Sequence, residues 1–242
     1  MCTVTFIPAK DGCFITSNRD EKAGRKQALP PASYSCDQVA LVYPKDADAG
    51  GTWIALHNNG NAAVLLNGAF IAHVSQPPYK KSRGLIFLDV ISSDMPVEKF
   101  QRIDLTNIEP FTLVVFDDNN LYECRWDGSR KYHKQLNKKK PHIWSSATLY
   151  NEEIIKKREQ WFAEWLNNNP NPSMQEILHF HRFAGEGDTQ NDLLMNRDNN
   201  MLTVSVTGIE LNDEKASMHY IDLKDQMQYL QQIEFTGSLK VV

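Results

Sequence analysis

Short alternating segments joined by turn residues fill both ends of this chain, and two helix-like blocks interrupt them. Few architectures accept that order. Over Cys2–Pro8, Val4 and Phe6 alternate with Thr3 and Thr5, the period of a strand with two different faces. Lys10-Asp11-Gly12 is a turn, and Cys13–Asp20 returns as a second strand, so the two form a hairpin. A polar, proline-containing loop is expected over Glu21–Ser35. Thr52–Leu56 and Ala62–Leu66 then flank His57-Asn58-Asn59-Gly60-Asn61, a second hairpin.

Leu85, Ile86, Leu88, Val90 and Ile91 suit a helix over Gly84–Ser93, which Pro96–Arg102 extends or restarts. Phe111–Asp117, Leu121–Trp126, Arg130–Leu136 and His142–Leu149 read as strands. A long helix follows. Asn151 caps it, Glu152 and Glu153 suit its positive end, and Ile154, Ile155, Trp161, Phe162, Trp165 and Leu166 form its apolar face. Asn171 as cap and Pro172 at the first helical position start another helix, to about Phe183. Met201–Leu211 and Ala216–Leu223 read as a closing hairpin, with a last strand near Gln232–Phe235. The order implies an α+β fold over residues 1–242 as one domain. Two antiparallel sheets pack face to face, with a helical layer on each outer side.

The 242 residues carry a net charge of −4, which argues against nucleic acid as the main partner. The dense basic run Lys138-Lys139-Lys140 reads as a solvated loop. The first residues lack the apolar core of a signal peptide, and no stretch reaches the length of a membrane span, so a soluble cytoplasmic protein is expected. Cys2, Cys13, Cys36 and Cys124 fit no zinc spacing and are expected as free thiols. His179 and His181, two apart on a helix, point to different faces and form no metal pair. Ser145 and Ser146 lack the glycines of a hydrolase elbow, and Gly185-Glu186-Gly187 lacks the lysine and spacing of a phosphate loop. No metal and no cofactor is expected.

One residue near the start carries distinctive chemistry. Cys2 is small enough to allow removal of Met1, which would leave a thiol and a free α-amine on one residue. An amine of pKa about 7.7–8.0 can act as base for its own thiol, so no histidine is required. Cys2 alone reads more readily as a small apolar residue in an edge strand, because a cysteine at position 2 is a weak signal. Arg19 and Asp20 shift the balance. In the first hairpin they fall beside Cys2, where a cation lowers the thiol pKa and a carboxylate can orient an ammonium.

Met1-Cys2, together with Asn18-Arg19-Asp20-Glu21 at the end of the second strand, resembles the NRDE family, also called the transport and Golgi organisation protein family. Further segments match in order: Gly50–Gly60 with its Gly-Gly-Thr-Trp, Ala62–Gly68, Ser82-Arg83-Gly84 and Trp144–Leu149. That family is similar to the N-terminal nucleophile hydrolases, especially the choloylglycine hydrolase and penicillin V acylase group. The resemblance implies an αββα sandwich and a cysteine nucleophile acting on a linear amide. Carried over, Cys2 matches the nucleophile, Arg19 and Asp20 the pair beside it, and Asn67 a donor to the oxyanion. Asn18, Trp53 and Ser146 fall at positions suited to binding substrate. Two departures stand out: Ser146 replaces a common asparagine, and the late strand opens with Asn199, Asn200 and Met201 where family members tend to carry an arginine, the nearest being Arg197.

The resulting expectation is a hydrolase or acyltransferase acting on a linear amide or acyl group of a small molecule. Cys2, Arg19, Asp20 and Asn67 are its catalytic residues. The alternative is a non-catalytic carrier that binds a lipid, acyl-CoA or haem in the same cleft.

Overall fold

The computed structural model describes residues 3–36, 39–213 and 215–235. β1 (Thr3–Ala9) and β2 (Gly12–Lys22) form the expected hairpin, with Thr3 opposite Asn18 and Phe6 opposite Ile15. β3 (Leu29–Cys36), β4 (Val39–Lys45), β5 (Ile54–His57) and β6 (Ala62–Asn67) follow as an antiparallel run. α1 (Arg83–Ile91) and α2 (Pro96–Arg102) precede the meander β7 (Phe111–Asp117), β8 (Asn120–Trp126) and β9 (Lys131–Leu136). β10 (His142–Ser145), α3 (Glu152–Asn168) and α4 (Met174–Phe183) come next. The chain closes with β11 (Asn196–Arg197), β12 (Met201–Asn212), β13 (Lys215–Asp222) and β14 (Gln228–Glu234).

These strands form two seven-stranded antiparallel sheets. The first has the order β10-β1-β2-β12-β13-β14, with β11 paired to β12. The second runs β3 to β9 in sequence order. The period-2 pattern of β1 and β2 decides which side chains meet. Val4, Phe6 and Ile15 enter the core between the sheets, beside Ile209, Leu56, Leu113 and Val115. Ile7, Phe14, Val206 and Ile221 turn outward onto Phe162 of α3 and Ile177, Leu178 and Phe180 of α4. α1 and α2 cover the far side of the second sheet against β6, β7 and β8. The architecture is therefore the expected αββα sandwich.

Local chemistry explains the helix starts. The Asn151 side chain accepts a hydrogen bond from the Ile154 N–H, and Ser82 does the same for Leu85 in α1. α4 begins two residues later than expected. Ser173 is its cap, in a reciprocal capping box with Glu176, and Asn171 and Pro172 lie outside.

Two strands lie where the sequence suggested a loop or carried no clear pattern. β3 holds Pro30 and Pro31, which remove two ladder donors; it is an edge strand, and its register against β4 shifts between Leu29 and Ala32, where the prolines sit. β4 is a short apolar run buried inside the sheet, without the alternation that marks a half-exposed strand. Among the described residues, no helix is long and apolar enough to cross a membrane.

Candidate active site

At the upper end of β2 the pleat separates neighbouring side chains. Arg19 and Glu21 turn toward the space between the sheets, while Asn18 and Asp20 turn toward the helices. β12 fixes this end from the other side, pairing Ser205 with Arg19 and Thr203 with Asp20 across a register shift. The expectation for Cys2 falls outside the described residues; the first of them, Thr3, is held between Asn18 and Ser145.

A cavity of about 390 Å³ opens beside Arg19. Trp53 and Leu65 contribute to its apolar lining, and Asn67 stands at the end of β6. The remainder is strongly charged. Arg19 Nη2 lies 2.7 Å from Asp46 Oδ2, and Arg25 Nη2 lies 3.0 Å from the same oxygen. Glu21 stands 3.6 Å from each arginine. Burial pushes the Asp46 carboxyl up. The Ala49 N–H, Arg25 and Arg19 more than offset this, leaving it below its ordinary value. Arg83 pairs with Glu109 at 3.1 Å, and burial lowers its pKa despite that partner. Arg19 also stacks 4.4 Å from the Trp53 ring centroid, which fixes the guanidinium as a plane against the cavity wall.

Two glycine-bearing segments form one edge of this cavity. A Cβ built on Gly51 would stand 2.5 Å from the Gly84 backbone, so the Gly-Gly-Thr-Trp segment and the start of α1 meet with no room for a side chain. The Thr52 hydroxyl donates to Pro44 O at 2.5 Å and so ties the segment to β4.

The expected site residues divide into three groups. Arg19, Trp53 and Asn67 come together at the cavity. The Asn67 side-chain amide has no hydrogen-bond partner among the described residues, while its carbonyl accepts from Ser146 Oγ at 2.9 Å. Ser146 is fully buried beneath it and also bonds Thr148 Oγ1. Asn18 and Asp20 lie on the opposite face of the sheet. Asn18 donates to the carbonyls of His181 and Leu193, at 2.9 and 2.7 Å. Asp20 accepts from the Tyr150 hydroxyl at 2.9 Å and from Thr203 Oγ1 at 2.5 Å.

Sequence reasoning missed Asp46, Arg25, Arg83 and Glu109 at the cavity. Glu21 carried a readable signal, because it follows Arg19 at the strand period of two, and Arg83 lies inside the matching Ser82-Arg83-Gly84 segment. In the late segment, Arg197 lies opposite Met201 and donates to Leu149 O at 3.0 Å. Its guanidinium stands 5.3 Å from the Tyr150 ring centroid. Among the described residues, no group of three His, Cys, Asp or Glu side chains is placed to hold a metal ion.

The family model described as Transport and Golgi organisation 2 matches residues 1–229. The chain belongs to that family. It has no match among curated proteins. Solved structures of similar fold include the Caenorhabditis elegans ortholog of N-acylethanolamine-hydrolyzing acid amidase. The TM-score is 0.59 at 11% identity, covering 86% of this chain and 92% of that one. A cysteine-to-alanine mutant of conjugated bile acid hydrolase from Clostridium perfringens aligns with TM-score 0.59 and 9% identity, over 100% of this chain and 99% of that one. An arginine-to-leucine variant of the same hydrolase aligns over the same shares, with TM-score 0.53 and 9% identity. At such low identity these likenesses concern the fold alone. This Transport and Golgi organisation 2 family member therefore has the sandwich fold of N-terminal nucleophile hydrolases.

Proposed function

We propose that this chain is an N-terminal cysteine amidohydrolase or acyltransferase acting on a linear amide or acyl group of a small molecule. The pairing of Thr3 with Asn18 carries the reading. Asn18 is followed on β2 by Arg19, which faces a cavity that also holds Asn67.

In this mechanism Met1 is removed and the α-amine of Cys2 accepts the thiol proton. The sulfur bonds to the acyl carbon. The Asn67 side-chain amide and a main-chain N–H receive the negative oxygen. The amine then passes its proton to the leaving nitrogen as the C–N bond breaks, leaving a thioester. Attack by water releases the acid, and attack by an acceptor nucleophile transfers the acyl group; either restores the thiol. Arg19 favours the thiolate, and Asp20 orients the α-ammonium from the other face of the strand. Trp53 walls the substrate side. Asn18 and Ser146 act through the backbone, one fixing the strand end and the other holding the Asn67 carbonyl.

Acylation by a p-nitrophenyl ester tests this. Asn67→Ala should slow it by about 10²–10³ with little change in Tm, and Cys2→Ala should abolish it. An unchanged rate with a lowered Tm would leave Asn67 as a turn residue.

One observation favours a second reading, a carrier of a lipid-like ligand. Phe70, Ile71 and Val74 are 53%, 78% and 82% exposed on the segment that joins Asn67 to the start of α1. A carrier requires neither Met1 removal nor acylation, so the same ester separates the two.

A further inference from the structure

Arg158 lies in the buried stripe of α3, one turn from Ile154 and one from Phe162, and is itself fully buried. An arginine keeps its charge in proteins, yet among the described residues no carboxylate touches this one. It donates to Thr3 Oγ1, to Asn191 O at 2.8 and 3.2 Å, and to Asp192 O at 2.8 Å. Its guanidinium stands 3.6 Å from the Tyr150 ring centroid. Burying a cation among neutral partners is costly, and the fold bears that cost here. The Tyr150 hydroxyl in turn holds Asp20. A cation and a carboxylate thus face the end of β1 from the same side, with one aromatic ring between them.

We propose that Arg158 and Tyr150 are positioning residues for Cys2. Arg158 anchors β1 through Thr3, the residue that follows Cys2 in sequence, and its positive charge favours the thiolate over the thiol. Tyr150 holds the Asp20 carboxylate in place. This inference rests on the nucleophile reading above. The other ionisable groups around this strand end are Arg197 and the ring of His181 on the helical side. Arg19, Arg25, Glu21 and Asp46 face the cavity. The field of Arg158 is felt nearby: burial, and then that charge, push His181 down to about 3.

The rate of iodoacetamide alkylation of Cys2 against pH, read by intact mass and peptide mapping, tests the proposal. Removing the cation should raise the apparent midpoint, so Arg158→Gln should shift it up by about one pH unit. Arg158→Lys, which keeps the charge, should stay near the parent. A purely structural role would lower Tm in both variants and leave both midpoints in place, and that result overturns the proposal. Tyr150→Phe keeps the ring beneath the guanidinium and removes the hydroxyl that bonds Asp20 and Met195 Sδ. If Arg158→Gln does not fold, Tyr150→Phe decides: a raised midpoint supports the proposal, and an unchanged one overturns it. If the parent chain retains Met1 and Cys2 is not the labelled thiol, the nucleophile reading fails, and this inference falls with it. A normal parent with unresponsive variants defeats this inference alone.

Discussion

Asp46 shows how one side chain outside the expected set organises the cavity. Its carboxylate gathers Arg19 and Arg25 and accepts the N–H groups of Asp48 and Ala49. Asp46→Asn would leave Arg19, only 4% exposed, with the more distant Glu21 as its acidic partner. The expected loss at neutral pH is about 2–3 kcal/mol, below the range for a fully buried pair because Asp46 is partly solvated. The lowered carboxyl pKa sets the pH dependence. Its stabilisation is complete above the ordinary value of 3.8 and is lost as pH falls below it. Parent and variant should therefore differ in Tm at pH 7 and differ less at pH 3. A constant difference at both pH values would show that the pair acts through shape alone.

The contact between the Gly-Gly-Thr-Trp segment and the start of α1 joins two elements far apart in sequence. Gly51→Ala places a methyl against the Gly84 backbone and must push the two apart, at a cost of about 1–3 kcal/mol. The displaced segment carries Trp53, the platform under Arg19, so acylation should slow as well. A variant with parental Tm would show that the segments separate freely. Other elements show what the sequence made readable. β1, β2, β12 and β13 were legible from alternation, because each sheet face meets a different environment. β3 was hidden by Pro30 and Pro31, tolerated only at an edge and a register shift. In α3, Arg158 occupies a place that the apolar stripe reserves for a hydrophobe. That break in the pattern is its only local signal. Arg19 and Asn67 were placed at the cavity by motif and register. Asp46 and Glu109 reach it through tertiary packing, which leaves no local trace.

Across the whole molecule, the fold is shared with amidases and hydrolases at about a tenth identity, so it rests on strand order and face alternation rather than on particular residues. The outer helical layer is joined to the first sheet partly through polar groups. His181 of α4 bonds Thr5 Oγ1 at 2.7 Å and also contacts Asn18 Oδ1. With a pKa pushed from 6.5 to about 3, chiefly by burial, the ring folds in its neutral form. Its contribution is complete above pH 6.5 and declines as pH falls toward 3. Unfolding free energy should drop by up to about 1.4 kcal/mol per pH unit over that window. His181→Gln should flatten the slope while lowering stability at pH 7. An equally steep slope in the variant would place the acid sensitivity elsewhere.

Cys13 and Cys124 are buried, and burial pushes both thiols up to about 12, so neither competes as a nucleophile at neutral pH. The most direct test of the account is the intact mass of the purified chain, before and after exposure to an activated acyl ester, with the adduct mapped to its peptide. The account predicts a chain that lacks Met1 and carries one acyl group, on Cys2. A chain that keeps Met1 and takes up no acyl group, or takes it up on another cysteine, would contradict it.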